Sequence, residues 1–272
     1  MGVRRWTVRV TAAMAALLAL TLAPAANAAS ASPFADWAAV VIAGDWHAHS
    51  GGPTEAFDNA RRDVAARLTA LGFAPGNIRQ FSTRPDRYPD THPARTDLEP
   101  IFDTLSQLAQ KAPAGCFVYY TSHGGPPGVV MDEDGKQMIV PPGVMAELVN
   151  QACPNRPTIV VLSACFSGVF IPALEKNDRM ILTAARPDRS SFGCSESDKY
   201  PFFDDCFLRS STHAHDFAAL GSAVQACVAE RETETGARPA SEPQLWIGPE
   251  LKPMLPLYAF PKTGPSALAS TP

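Results

Sequence analysis

The sequence predicts an α/β domain built on a mostly parallel sheet with helices on both faces. Five near-continuous apolar runs, at 37–44, 77–82, 116–122, 158–164 and 179–185, read as strands buried on both sides. Stretches with apolar residues at helical spacing lie between them, the alternation that builds parallel sheets. No internal repeat or linker interrupts the pattern, so 272 residues with 46% apolar content are assigned to one core.

The elements follow in order. "WAAVVIAG" (37–44) has no polar break and forms the first strand. "TEAFDNARRDVAARLTALG" (54–72) is a helix stopped by Gly72, and "NIRQFS" (77–82) a strand. "TDLEPIFDTLSQLAQKA" (96–112) is the next helix, followed by the strand "CFVYYTS" (116–122). "GVVMDEDGKQMIV" (128–140) predicts a hairpin turning at Asp134-Gly135. "PGVMAELVNQA" (142–152) is a helix with Pro142 in its first turn. "TIVVLSA" (158–164) and "RMILTAA" (179–185) complete the strands, and "HDFAALGSAVQACVAERE" (215–232) is the last helix. A proline-rich, irregular tail is expected from 249, leaving a domain at 29–248.

The first 28 residues read as a secretory signal peptide. "MGVRRWTVRV" is a basic n-region, "TAAMAALLALTLAPA" an apolar h-region, and Ala26-Asn27-Ala28 a small-residue cleavage site. No cysteine follows the site to carry a lipid, and no later segment is long enough to anchor the chain in a membrane. The expected product is exported, periplasmic or secreted. Its leader carries Arg4, Arg5 and Arg9 and no acid, so removal moves the formal charge from −4 to −7. Such an acidic chain has no electrostatic footprint for nucleic acid.

Two strands end in the same way. "VYYTSHGGPPG" closes on His123, Gly124 and Gly125, and "TIVVLSACFSG" on Cys165 and a tight turn. In open parallel sheets the working face is the carboxyl ends of the strands. A thiol beside an imidazole is an activated nucleophile, and bare glycine backbone exposes N–H groups to a developing oxyanion. If the two strands are adjacent, their ends lie about 5 Å apart. Singly, the cysteine reads as a buried thiol and the histidine as a turn residue. Jointly they read as a Cys165/His123 dyad, with the amides of Gly124 and Cys165 as oxyanion donors.

These motifs resemble those of the legumain family of cysteine peptidases, in the clan that includes caspases. The similarity spans about residues 37–230 and is strongest at "VYYTSHGG" and "VVLSACFSG". It implies a caspase-like three-layer fold and metal-free, cofactor-free hydrolysis of peptide or protein substrates. "FDNARRDVAARL" resembles the segment with an asparagine supporting the catalytic histidine and an arginine of the S1 pocket, which implies Asn59 and Arg61. "LTAARPDRSSFGCSE" implies Ser190 and Ser191 lining S1, and "FFDDCF" implies Asp205 as its acid. Cleavage after Asn or Asp is the corresponding expectation. Ser163 stands where legumains carry an acid two residues before the cysteine, and Arg62 stands in place of a histidine.

The same dyad serves a peptide ligase, and the scaffold without chemistry serves as a peptide-binding module; both remain alternatives. A small-molecule thiol hydrolase is disfavoured because Cys165 is not in a Gly-x-Ser-x-Gly-type elbow. A redox protein is disfavoured because no resolving cysteine is near in sequence. The pairs His47/His49 and His213/His215 have ligand-like alternation but no Cys or carboxylate cluster at a recognised spacing, so no metal is expected. Asp45 either faces the active site or caps the next turn. Of the six cysteines, Cys116 and Cys153 both fall at the sheet's amino edge and are expected to bond. Cys194 and Cys206 flank the specificity loop and form the second expected pair, leaving Cys227 a buried free thiol. Oligomeric state has no sequence signal.

Overall fold

The computed structural model describes residues 1–3 and 32–261. The leader assigned to 1–28 and the end of the tail from 262 lie outside the described residues, Met1–Val3 excepted. The central sheet has seven strands: β1 (Trp37–Ala43), β2 (Ile78–Ser82), β3 (Ala94–Arg95), β4 (Gly115–Thr121), β8 (Thr158–Ser163), β9 (Arg179–Thr183) and β10 (Gln244–Ile247). Their spatial order is β10-β9-β8-β4-β1-β2-β3, and all neighbours are parallel except the β9–β10 pair. Three strands, β5 (Gly124–Gly125), β6 (Gly128–Glu133) and β7 (Lys136–Val140), form a separate antiparallel sheet.

Strand side chains alternate between two cores, as the pleat requires. Ala39, Val41, Phe117, Tyr119, Ile159 and Val161 pack with α1 (Ala56–Ala70), α5 (Phe202–Ser210) and α6 (Phe217–Thr235). Ala38, Val40, Val118, Tyr120, Val160 and Leu162 pack with α2 (Leu98–Lys111), α3 (Pro142–Ala152) and α4 (Ile171–Leu174). Each large apolar side chain so buried contributes about 1.5–3 kcal/mol, and this doubly covered sheet positions everything described below. Asp97 caps α2 by accepting the Glu99 N–H at 3.3 Å, and Asp216 caps α6 by accepting that of Ala219 at 2.8 Å. The expected hairpin forms as β6 and β7, with Asp134 and Gly135 both at positive φ in the turn.

Five of these elements have no counterpart in the sequence reading: the short β3, β5 and α4, and also α5 and β10. Helix α5 has nine residues, and β10 has four that acquire strand character only by pairing with β9. The tail after 249 is not wholly peripheral: Leu251, Leu255 and Phe260 enter the first core. The cysteines correct two expectations, the Cys194–Cys206 bond and a free Cys227. Cys116 bonds Cys153 as expected, but Cys206 bonds Cys227, while Cys165 and Cys194 are free. The second bond joins α5 to α6, since Cys206 belongs to the core face of a helix that sequence did not reveal. Two disulfides suit a chain that folds in an oxidising compartment, and no described helix is long and apolar enough to cross a membrane.

A peptide map made without reductant should yield linked Cys116–Cys153 and Cys206–Cys227 peptides, with only Cys165 and Cys194 alkylated. The Cys116–Cys153 bond closes a separation of 37 residues. Converting both to alanine should therefore cost on the order of 4 kcal/mol in chemical denaturation.

Candidate active site

The pairing of β4 with β8 runs from Cys116↔Thr158 to Thr121↔Ser163. It continues one step further, where the Ser122 N–H donates to the Ser163 carbonyl at 3.0 Å. His123 and Cys165 follow immediately and line one cavity of about 470 Å³. Gly124 is required here by contact: a Cβ at that position would overlap the Cys165 carbonyl oxygen. Beyond the cysteine the chain turns sharply, with Phe166 at φ 58°. That left-handed conformation costs a non-glycine residue about 1–2 kcal/mol. Hydrogen bonds from the Phe166 N–H to the Arg189 carbonyl (2.8 Å) and from the Gly168 N–H to Ala185 (2.9 Å) hold it. A Cβ on Gly168 would sit 2.6 Å from the Pro187 nitrogen, so the turn can press against the 185–191 segment only with glycine there.

His123 and Cys165 each have a fixed partner. The His123 Nε2 lies 2.8 Å from the His47 carbonyl, and its ring stands edge-on to Phe57 at 5.1 Å. A carbonyl only accepts, so Nε2 carries the proton and Nδ1 is left as the basic nitrogen. The Ser191 N–H donates to the Cys165 sulfur at 3.2 Å, and the Ser191 hydroxyl oxygen lies 3.6 Å from it. The other free thiol in the cavity, Cys194, differs: burial, and then the neighbouring Cys165, push it up to about 11. The segment carrying His47 is tied to the opposite cavity wall. The His49 N–H donates to the Cys194 carbonyl (3.2 Å), the Thr54 hydroxyl to that of Ser195 (3.0 Å), and Ser50 pairs with Glu196.

The residues expected to flank the dyad divide. Ser190 and Ser191 line the cavity, together with Phe166, Phe192 and Asp198. Asn59 does not reach His123: its amide donates to the Lys199 carbonyl (3.2 Å) and its oxygen accepts from Arg62 (3.0 Å). The group on the imidazole is the His47 main-chain carbonyl, which no side-chain motif can signal. Arg61 is fully buried away from the cavity lining, bonded to Asp58 (2.9 Å) and Gln80 (2.5 Å) and stacked under Tyr88. There it joins α1 to β2 and the following loop. Asp205 pairs with Arg231 and lies 3.8 Å from Arg209, joining α5 to α6.

The acid directed at the strand ends is its neighbour Asp204. It accepts hydrogen bonds from Tyr119 (2.7 Å), Thr121 (3.3 Å) and Ser163 (2.5 Å). A one-residue step on a helix turns a side chain by about 100°, so the doublet in "FFDDCF" splits between sheet and helix. The burial of Phe203, Cys206 and Phe207 on α5 marks the face to which Asp204 belongs. That pattern was the available signal once a helix was recognised. Ser163, where legumains carry an acid, thus receives a buried carboxyl from α5.

Burial raises Asp204 from its ordinary 3.8 to about 7, and hydrogen bonds from Ser163, Tyr119 and Thr121 only partly oppose this. An acid whose folded pKa is raised contributes stability below its unfolded pKa and loses it as pH rises through the folded one. The stability margin of the wild type over Asp204→Asn should therefore shrink by on the order of 4 kcal/mol between about pH 4 and pH 7 and stay level above. Urea denaturation of both proteins at five pH values measures it, and a margin independent of pH would refute the assignment.

The architecture is similar to that of caspase-1 from Spodoptera frugiperda, with a TM-score of 0.55 over 80% of this chain and 88% of that one, at 15% identity. At that identity the likeness establishes the caspase-like fold alone. No curated protein sequence matches the chain. The family model for the peptidase C13 family matches residues 106–238. The matched segment carries His123, Cys165 and both walls of the strand-end cleft between them, and it is there that the chain is similar to the peptidase C13 family, the legumain family that its motifs resemble.

Proposed function

We propose that the protein is an exported cysteine endopeptidase that hydrolyses peptide bonds through Cys165 and His123. One observation carries this reading: the two residues face a common cavity, each with a partner suited to its role. His123 has its Nε2 proton occupied by the His47 carbonyl, leaving Nδ1 as base, and Cys165 has an N–H aimed at its sulfur. Two disulfides and the leader-like 1–28 segment support export.

In the proposed mechanism Nδ1 of His123 takes the thiol proton and Cys165 attacks the scissile carbonyl carbon. The amides of Gly124 and Cys165 stabilise the tetrahedral oxyanion. Collapse breaks the C–N bond, and the imidazolium returns its proton to the leaving amine. Water, deprotonated by the same imidazole, then releases the acid from the thioester. An amine in place of water gives ligation by the same steps.

The cavity beside Cys165 offers small polar groups, Ser190 and Ser191, and the carboxylate of Asp198, between Phe166 and Phe192. A carboxylate acceptor among hydroxyls fits an amide side chain, so Asn is the preferred P1 residue and Asp is disfavoured by charge. Arg61 and Asp205 act on folding in this reading, through the α1–β2 and α5–α6 contacts described above.

A fluorogenic library varied at P1 tests these statements together. Cys165→Ala and His123→Ala should each lower kcat/KM at least a thousandfold. Asn59→Ala should change it by less than fivefold, since Asn59 does not touch the imidazole. Cleavage after Asn should dominate and weaken in Asp198→Ala. No cleavage at any P1 residue from pH 4 to 8, with Cys165 refractory to alkylation, would leave the silent peptide-binding scaffold as the better reading.

A further inference from the structure

We propose that Asp45, His47 and Asp132 form a binding site for one divalent transition-metal ion, directly behind the active-site imidazole. The three side chains offer ligand atoms all within 4.8 Å of one another. Both acids are buried, Asp45 at 0% and Asp132 at 2% exposure. Buried carboxylates are normally paired with cations or bound to metal. Among the described residues the only basic group within 4 Å of either is His47, with Nδ1 at 2.6 Å from Asp45 and 3.7 Å from Asp132.

The decisive atom is the second oxygen of Asp132. Its first oxygen accepts the Gly135 N–H at 2.7 Å, which fixes the carboxyl group. The other, Oδ2, is buried and has no hydrogen-bond partner, although it is turned towards His47. An unsatisfied buried carboxylate oxygen is destabilising, and a cation at this point removes that cost. Asp45 is equally prearranged. It accepts N–H bonds from Trp46 (2.6 Å) and His47 (3.0 Å), and the Gln137 amide reaches its Oδ2 at 2.9 Å. Such outer contacts are what orient metal ligands. An open cavity of about 520 Å³, lined by Asp45, His47, His49 and Gln137, gives an ion and its waters access.

One imidazole and two carboxylates form a mixed donor set. Imidazole selects borderline ions such as Zn²⁺ over Ca²⁺, which takes six to eight oxygens. Three protein ligands plus water is a familiar zinc arrangement. The ion takes the place of the Nδ1 proton of His47, which passes to solvent. Sequence spacing gave no cluster because Asp132 arrives from the β6–β7 hairpin, held by its N–H to the Gly44 carbonyl at 2.7 Å. The consequence is local: the peptide whose side chain holds the ion is the peptide whose carbonyl holds His123. Asp45 and His47 lie outside the segment that matches the family model, and the proposal does not depend on peptide hydrolysis.

The test uses the Cys165→Ala/Cys194→Ala chain, so that neither free thiol takes the metal, and reads no activity. Titration calorimetry with ZnCl₂ should show one strong site per chain and a rise in Tm, with no such rise from CaCl₂ at the same concentration. Asp132→Asn and His47→Ala should each weaken binding at least tenfold, and His49→Ala should not. Circular dichroism of the metal-free variants checks their folding. Anomalous scattering at the zinc edge, from a crystal of the same chain soaked with zinc, should place the ion between Asp45 and Asp132. No binding, equal binding in both variants, a response to Ca²⁺ alone, or an anomalous peak elsewhere overturns the proposal.

Discussion

The parallel pairing of β4 with β8 is the constraint on which the rest of the site depends. Its register sets Thr121 opposite Ser163, so the next residues out bring His123 and Cys165 to the same edge of the sheet. A slip of one residue would turn every side chain of one strand to the wrong core, because Phe117, Tyr119 and Ile159 pack on one face and Val118, Tyr120 and Val160 on the other. The ladder is secured at both ends. At its start the Cys116–Cys153 disulfide joins β4 to the segment leading into β8. At its finish Asp204 gathers hydroxyls from both strands, Tyr119 and Thr121 on one and Ser163 on the other.

A rigid sheet supplies position, and the loops supply chemistry, as is usual where binding residues sit on a fixed scaffold. The strained turn at Phe166 is held against the 185–191 segment, and that segment in turn places the Ser191 N–H on the sulfur. On the other side, the loop after β1 carries the His47 carbonyl to the imidazole and is bonded to Cys194 and Ser195 across the cavity. His123 and Cys165 are therefore both oriented by main-chain groups from neighbouring loops. Side-chain substitution alters such groups only by moving the backbone, which explains why no residue-type motif marks them.

Buried charge is distributed so that sequence neighbours have different tasks. Arg61 closes a buried network with Asp58 and Gln80, whereas the adjacent Arg62 is partly exposed and pairs with Asp63 and Asn59. Asp204 faces the sheet, whereas Asp205 faces Arg231. In each case one step along a helix decides between core and flank. Of these only the Arg61–Asp58 pair is buried on both sides, and breaking such a pair costs about 3–5 kcal/mol because the other charge is left uncompensated. The Asp45–His47–Asp132 cluster belongs to the same class of buried polar groups, but its two carboxylates face one imidazole and no arginine or lysine within 4 Å among the described residues.

The sequence by itself determined the five parallel strands, four of the helices, the Asp134-Gly135 hairpin and the two strand ends that carry His123 and Cys165. These are legible because hydrophobic period and turn chemistry are local properties, and because an apolar run that stops at a histidine or cysteine before glycine is conspicuous. The family resemblance, rather than any local pattern, pointed to Ser190 and Ser191, which lie in the segment after β9 and line the cavity. Other features were decided only by tertiary structure. Helix α5 is short and β10 has four residues, so each gains its identity from what it packs against. The partner of Cys206 is Cys227 because two helices meet, and spacing along the chain carries no record of that meeting. The partner of His123 is a carbonyl, and every residue has one. Which acid faces the site, which arginine is buried, and which carboxylate meets His47 depend on side-chain direction and on contacts between segments tens of residues apart. Those are fixed only when the sheet and its two helical layers close together.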